Sequence, residues 1–399
     1  MARREVPPAP SSGARRLILA GLIPLALLAA FVVLFLRYGP LGVFEAAFPP
    51  VEELTIERVT LRPGEMIVTV TNGGPQEVTV AQVLVDDAYW AHEIRPDRTI
   101  PRLGRATITI PYPWVEGEPH AIKLLTSTGL TIEHEVAVAT ETPQADARYL
   151  LTFTMLGIYV GVVPIFVGLL WFPFLRRVGR RWLNFFLSLT GGLLVFLGVD
   201  ALTEALELRD RVPGAFQGTG LVTLGVVGTI LAMTVLVRRT TGRAGEGAGP
   251  RLLLAYLIAL GIGLHNLGEG LAIGAAYAIG EIALGSFLVV GFMLHNTTEG
   301  LGIAAPVATD RPAFAHFIWL GLLAGVPTIF GAWIGGFVYS PVFATLFLAI
   351  GAGAIFQVVY ELGRLVVRQS GDELMTAMNF AGFAAGLVIM YVTGLFVAG

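Results

Sequence analysis

The sequence predicts an all-α polytopic membrane protein that also carries an N-terminal membrane anchor helix and an extracytoplasmic all-β domain of immunoglobulin-like sandwich size. Three observations carry this expectation. The 399 residues are 55% hydrophobic and only 14% charged, against roughly 25% charged in a soluble domain. Residues 149–399 divide into eight apolar segments, each long enough for a hydrocarbon core of about 30 Å. Residues 45–145 instead alternate apolar and polar side chains in short runs. The 49 glycines suit closely packed membrane helices. The absence of cysteine excludes disulfides and thiolate metal sites.

Residues 1–16 are polar and basic, with Arg3, Arg4, Arg15 and Arg16. Residues 17–36 form an apolar run of 20 residues. A cleaved signal peptide has an apolar stretch of about 7–15 residues and ends at a small-residue cleavage site. This run is longer and ends in Leu36-Arg37-Tyr38-Gly39-Pro40, so residues 17–37 read as an uncleaved anchor helix.

In the β-domain, strands are expected at 54–61, 66–72, 78–85, 89–94, 106–110, 121–127 and 131–139. Turn residues separate them: Arg62-Pro63-Gly64, Asn72-Gly73-Gly74-Pro75 and Ser127-Thr128-Gly129. Seven strands in about 100 residues is the size of an immunoglobulin-like sandwich. This region holds 15 acidic and 7 basic residues, a net charge of −8.

The eight apolar segments of the region 149–399 lie near 149–173, 182–206, 217–237, 251–278, 282–307, 313–337, 341–364 and 376–398. Arginine placement sets the expected topology. Arg176, Arg177, Arg180 and Arg181 follow the first segment, and Arg238, Arg239, Arg243 and Arg251 follow the third. Arg311 follows the fifth, and Arg364 and Arg368 follow the seventh. The opposite connections hold only Arg209 and Arg211. Every odd-to-even connection is therefore expected to be cytoplasmic. The arginines of residues 1–16 agree, which puts the N-terminus inside and the β-domain and C-terminus outside. The stretch 240–250 reads as a flexible cytoplasmic linker.

The fourth segment contains His265-Asn266-Leu267-Gly268-Glu269-Gly270, and the fifth contains His295-Asn296-Thr297-Thr298-Glu299-Gly300, 30 residues later. A short connection near 279–281 makes the two helices antiparallel neighbours, with both motifs at one depth near the midplane. His265 and Glu269 are four apart and share a helix face, as do His295 and Glu299. Two imidazoles and two carboxylates then converge. A carboxylate at a membrane helix centre costs about 2.5–3.5 kcal/mol on insertion scales, so two call for a compensating charge. A divalent cation supplies it. Nitrogen and oxygen ligands suit zinc, iron(II) or manganese better than calcium. Asn266 and Asn296 could add carbonyl oxygens to the same ion or to a neighbouring one.

These residues resemble the ZIP (Zrt-, Irt-like) family of metal-ion transporters, whose fourth and fifth helices carry His-Asn/Ser-x-x-Glu/Asp-Gly and His-Glu/Asn-x-Pro-Glu-Gly motifs. The resemblance covers residues 149–399. It implies metal-ligand roles for His265, Asn266, Glu269, His295, Asn296 and Glu299, a ZIP-like eight-helix bundle of inverted repeats, and a homodimer. Three positions depart from the family pattern. Gly268 and Thr298 stand at the motif proline positions, Val326 precedes Pro327 where many members have an acid, and Asn296 replaces a frequent acidic residue.

Two further polar pairs lie at four-residue spacing: Asp200 and Glu204 near the outer end of the second segment, and Gln357 and Glu361 near the inner end of the seventh. They are expected at the two mouths of a pathway through the midplane. Asn379 reads as a helix-packing contact. His92, His120 and His134 read as surface residues of the outer domain. His134 lies between Glu133 and Glu135, which a strand turns to the opposite face.

The expected function is uptake of divalent zinc, iron or manganese across the plasma membrane by alternating access. The metal is cargo, no resident cofactor or nucleic-acid partner is expected, and the chain is not expected to be an enzyme. The rival readings are an intramembrane zinc-dependent hydrolase, a bis-histidine haem protein and a non-transporting metal sensor. The motifs lack His-Glu-x-x-His and Glu-x-x-His spacings, and four converging side chains would fill the open position of a catalytic zinc. Haem ligation by His265 and His295 would leave Glu269 and Glu299 unexplained.

Overall fold

The computed structural model describes residues 22–34, 51–241, 249–278, 282–310, 312–369 and 376–395. The expected basic N-terminus, Arg311 and the connection at 279–281 lie outside these residues, as does most of the linker 240–250. The chain forms two compact units, Met1–Pro50 and Val51–Gly399. In the first, helix α1 (Leu22–Leu34) is apolar and exposed throughout; it covers the middle of the expected anchor, whose ends lie outside the described residues.

The second unit begins with nine strands: β1 (Leu54–Arg62), β2 (Glu65–Asn72), β3 (Val78–Val85), β4 (Ala88–Tyr89), β5 (Glu93–Arg95), β6 (Thr99–Ile100), β7 (Arg105–Ile110), β8 (His120–Thr126) and β9 (Thr131–Val136). They form two antiparallel sheets, β1-β2-β7-β5 and β4-β3-β8-β9, with β6 pairing β3. Alternation puts Met66, Val68 and Val70 of β2, Ile108 and Ile110 of β7, and Ile122 and Leu124 of β8 into one fully buried core. The strand expected at 89–94 is instead two, one in each sheet. Its first half closes a two-residue hairpin on β3, with Asp86 and Asp87 at φ +51° and +63°. Aspartate tolerates this left-handed backbone because its short polar side chain bonds locally.

Eight helices follow: α2 (Ala147–Leu175), α3 (Arg180–Leu208), α4 (Gly218–Thr241), α5 (Gly249–Ala278), α6 (Ile282–Ala304), α7 (Phe314–Val338), α8 (Pro341–Gln369) and α9 (Ala377–Gly394). They match the eight expected segments to within a few residues. Among the described residues, seven of these helices are long and apolar enough to cross a membrane, and α6 runs for 23 residues. This architecture is compatible with a multi-pass membrane protein. Burial ranks the helices: 67% of the most apolar window of α5 is buried, against 22% in α4 and α9, so α5 is central and those two are peripheral. The expected linker 240–250 is shorter than its composition suggests, because α4 continues to Thr241 and α5 starts at Gly249.

Two helices are irregular. A π-helical turn at Ile158–Val162 interrupts α2, and α7 is broken at Val326 ahead of Pro327. Both motif helices, α5 and α6, are continuous. The irregularities that position the site therefore lie in its neighbours.

The sandwich is clamped to the helix ends by two polar contacts. Arg58 of β1 donates to Phe337 O at 2.6 Å and Gly336 O at 3.5 Å, the open carbonyls at the end of α7. Glu53 Oε1 accepts from Gly214 N at 2.5 Å, in the connection between α3 and α4.

Candidate functional site

Helices α5 and α6 bring the two motifs together as expected. The Glu269 carboxylate lies between the two imidazoles, 3.2 Å from His265 Nε2 and in hydrogen-bond contact with His295 Nε2. Ligand atoms of His265, His295 and Glu299 lie within 4.8 Å of one another. All four residues are at most 5% exposed, so their polarity is not answered by solvent. Glu299 is the least satisfied. The Asn266 side chain interacts with it, but no hydrogen bond closes on either carboxylate oxygen. Among the described residues, His265, His295 and Glu299 are the only group of three or more His, Asp or Glu side chains whose ligand atoms come this close together.

The asparagines have a role the sequence did not reveal. Asn266 Nδ2 donates to Ala324 O of α7 at 3.1 Å, and Asn296 Nδ2 donates to Val160 O of α2 at 2.9 Å. Asn296 also donates to Glu269 Oε2 at 3.0 Å. Each amide thus fastens a motif helix to the irregular turn of a neighbour. Both Oδ1 atoms are buried without a hydrogen-bond partner and keep their acceptor capacity.

The motif glycines complete a matched set of contacts. A Cβ on Gly270 would lie 2.1 Å from Thr328 O of α7, and one on Gly300 would lie 2.2 Å from Ile165 O of α2. Reciprocally, Gly331 of α7 meets Leu267 O and Gly168 of α2 meets Thr297 O, each at 2.1 Å from the position of a Cβ. Thus α5 rests on α7 as α6 rests on α2, through equivalent motif positions. The extra residue of the π turn keeps the two contact sets in register. Small residues recurring along α2 and α7 were the available signal for this packing.

At the positions of the missing prolines, Thr298 Oγ1 donates back to His295 O at 2.6 Å, as its residue type allows. Gly268 makes room for Leu348 of α8.

The flanking pairs differ from each other. Glu204 is half-buried and interacts electrostatically with His265, Asp200 and Glu269, whereas Asp200 is exposed. Gln357 is buried and donates to Glu361 Oε1 at 3.5 Å, and Glu361 pairs with Arg364 at 3.3 Å. Asn379 is buried near the start of α9, in keeping with a packing role.

The outer histidines need a correction. His120 is not a surface residue: it is 5% exposed, its Nδ1 contacts Asp86 Oδ2 at 2.8 Å, and its ring meets the edge of Tyr112. It opens β8 on the strand's buried face, which places its ring at the sandwich core. His92 and His134 are half-buried. Glu133 and Glu135 point away from His134, as strand alternation requires. Burial and the neighbouring Arg211 hold the His134 imidazole below its usual value.

No protein-family model matches the chain, and no curated protein matches it.

Proposed function

We propose that this chain is a secondary transporter for a divalent transition-metal ion, zinc, iron(II) or manganese, of the ZIP type, and not an enzyme. The observation that carries the reading is the convergence of two imidazoles and two carboxylates from duplicated motifs in a buried site. Two ionised carboxylates there are strongly disfavoured alone, and one dication balances both. Imidazole and carboxylate donors suit these metals. The unpaired oxygens of Glu299, Asn266 and Asn296 fit the donor set. One tightly held ion is expected, because a second would share the same two carboxylates and Val326 adds none.

The matched contacts of α5 with α7 and of α6 with α2 support an inverted repeat, in which α2–α4 and α7–α9 are related about the motif pair. In that arrangement the π turn and the Val326–Pro327 break are equivalent hinges beside the site. Glu204 and Glu361 then flank the pathway at opposite ends. We read the sandwich as an extracytoplasmic immunoglobulin-like domain, the arginine-rich ends as cytoplasmic, the membrane as the plasma membrane and the assembly as a homodimer.

The test is metal uptake into proteoliposomes, with lipid turnover measured on the same sample. His265→Ala and Glu299→Ala are each expected to abolish uptake while membrane insertion is retained. Wild-type uptake by either variant refutes the proposal. Metal-dependent lipid hydrolysis without uptake would instead identify an intramembrane hydrolase, and metal binding with neither activity a sensor.

A further inference from the structure

A cavity of about 590 Å³ lies between the ends of α4, α5 and α8, and no motif residue lines it. Arg238, Arg251, Arg364 and Arg368 line it, against a single carboxylate, Glu361. Two of the four guanidiniums are already engaged. Arg251 bonds Thr309 Oγ1 and pairs with Asp310 at 3.1 Å, and Arg364 pairs with Glu361 and lies over the Tyr360 ring. Arg238 and Arg368 are exposed and form no ion pair among the described residues. The inner wall is apolar, built from Leu254 and Leu257 of α5. On the adjoining stretch of α4, Leu231, Val235 and Leu236 are 61%, 48% and 43% exposed.

We infer that this cavity binds the phosphate of an anionic phospholipid, whose acyl chains lie along the exposed apolar face of α4. Guanidinium groups present paired N–H donors that match phosphate oxygens, and basic cavities between membrane helices suit anionic headgroups. A free phosphate would use the arginines but leave the leucine wall and the α4 face unused; a phospholipid uses all three. The site ties together α4, α8 with its Gln357–Glu361 pair, and α5 with His265 and Glu269. The phosphate competes with Glu361 for Arg364, so the bound lipid loosens the Glu361–Arg364 pair.

Binding to the full purified chain in neutral detergent tests this. The probes are phosphatidylglycerol, phosphatidylcholine and inorganic phosphate, read by lipid retention in native mass spectrometry and by the thermal unfolding midpoint. Phosphatidylglycerol is expected to be retained and to raise the midpoint, while phosphatidylcholine and inorganic phosphate do neither. Arg238→Gln with Arg368→Gln should weaken phosphatidylglycerol binding by about 25-fold, about fivefold for each guanidinium. Arg180→Gln with Arg181→Gln removes the same charge from another helix end and should leave binding unchanged. Unchanged binding by the first pair overturns the inference. So does equal retention of phosphatidylcholine, or inorganic phosphate binding as tightly as phosphatidylglycerol, which would mark a free-anion site.

Discussion

Asn296 is the residue on which the two motifs depend together. Its amide holds α6 to Val160 O of α2 and also reaches across to Glu269 on α5. Asn266 donates to Ala324 O and interacts with Glu299 without closing a hydrogen bond on it. The two asparagines occupy the same motif position and each reaches the carboxylate of the other motif, but only the Asn296 amide closes a hydrogen bond on it. Outer partners that orient a metal ligand typically contribute a factor of about 10–100 in affinity. Under the proposed function, Asn296→Ala is expected to raise the metal concentration for half-maximal uptake by at least about tenfold, with a smaller effect from Asn266→Ala. Equal half-saturation in Asn296→Ala and wild type would reduce Asn296 to a packing residue.

Among elements, the contact of α5 with α7 is built from backbone against backbone. A methyl group on Gly270 would meet Thr328 O at 2.1 Å, and a carbonyl fixed in a helix cannot rotate away. One on Gly268 would meet only Leu348 Cδ2 at 2.7 Å, the end of a flexible side chain. Overpacking costs typically about 1–3 kcal/mol. Gly270→Ala should thus lower the unfolding midpoint and separate α5 from α7, while Gly268→Ala stays close to wild type. Equal midpoints for the two variants would show that α7 yields freely. In the sandwich, the β3–β4 hairpin turns on Asp86. Burial pushes its carboxyl up, but hydrogen bonds from Ala121 N, His120 and Tyr112 outweigh that and hold it below its usual value. A depressed carboxyl stabilises the fold above its unfolded value of about 3.9, and that stability is lost as pH falls from there through the folded value. Acid unfolding of the isolated domain 45–145 should begin in this window. Asp86→Asn, which keeps the turn backbone, should flatten the pH dependence there; an unaltered acid profile would assign it to other carboxylates.

For the whole molecule, the question is how the sandwich and the helices act on each other. Every strand pairing lies within Leu54–Val136, and the apolar core of the sandwich is its own, so the domain should fold alone as a soluble β-protein without metal. Its attachment rests in part on Arg58 at the carbonyl end of α7, the helix that packs on the motif helix α5. Arg58→Ala leaves those carbonyls without their cation. It should increase proteolytic cleavage in the 137–147 connection, with a much smaller effect on metal affinity at the motifs. Cleavage at the wild-type rate would mean that Glu53 and the remaining contacts suffice.

The sequence by itself determined what periodicity and composition encode. Eight apolar runs became eight helices with nearly the expected limits, as a multi-pass membrane protein would require, since unpaired backbone groups are costly in hydrocarbon. Alternation located most strands of the sandwich, and the duplicated His-x-x-x-Glu spacing anticipated the buried His–Glu cluster, because four residues is about one helical turn. It missed the division of 89–94 between two sheets, since Trp90-Ala91-His92 between the halves carries no turn residue. It also placed His120 at the surface, whereas the residue is buried at the start of β8 and its Nδ1 contacts the exposed Asp86 carboxylate. Only the tertiary structure decided what depends on residues far apart in the chain. Val160 and Asn296, or Gly270 and Thr328, become neighbours only once four helices have packed. No local pattern records that the motif glycines and asparagines fasten the site to a π turn in one neighbour and a proline break in the other.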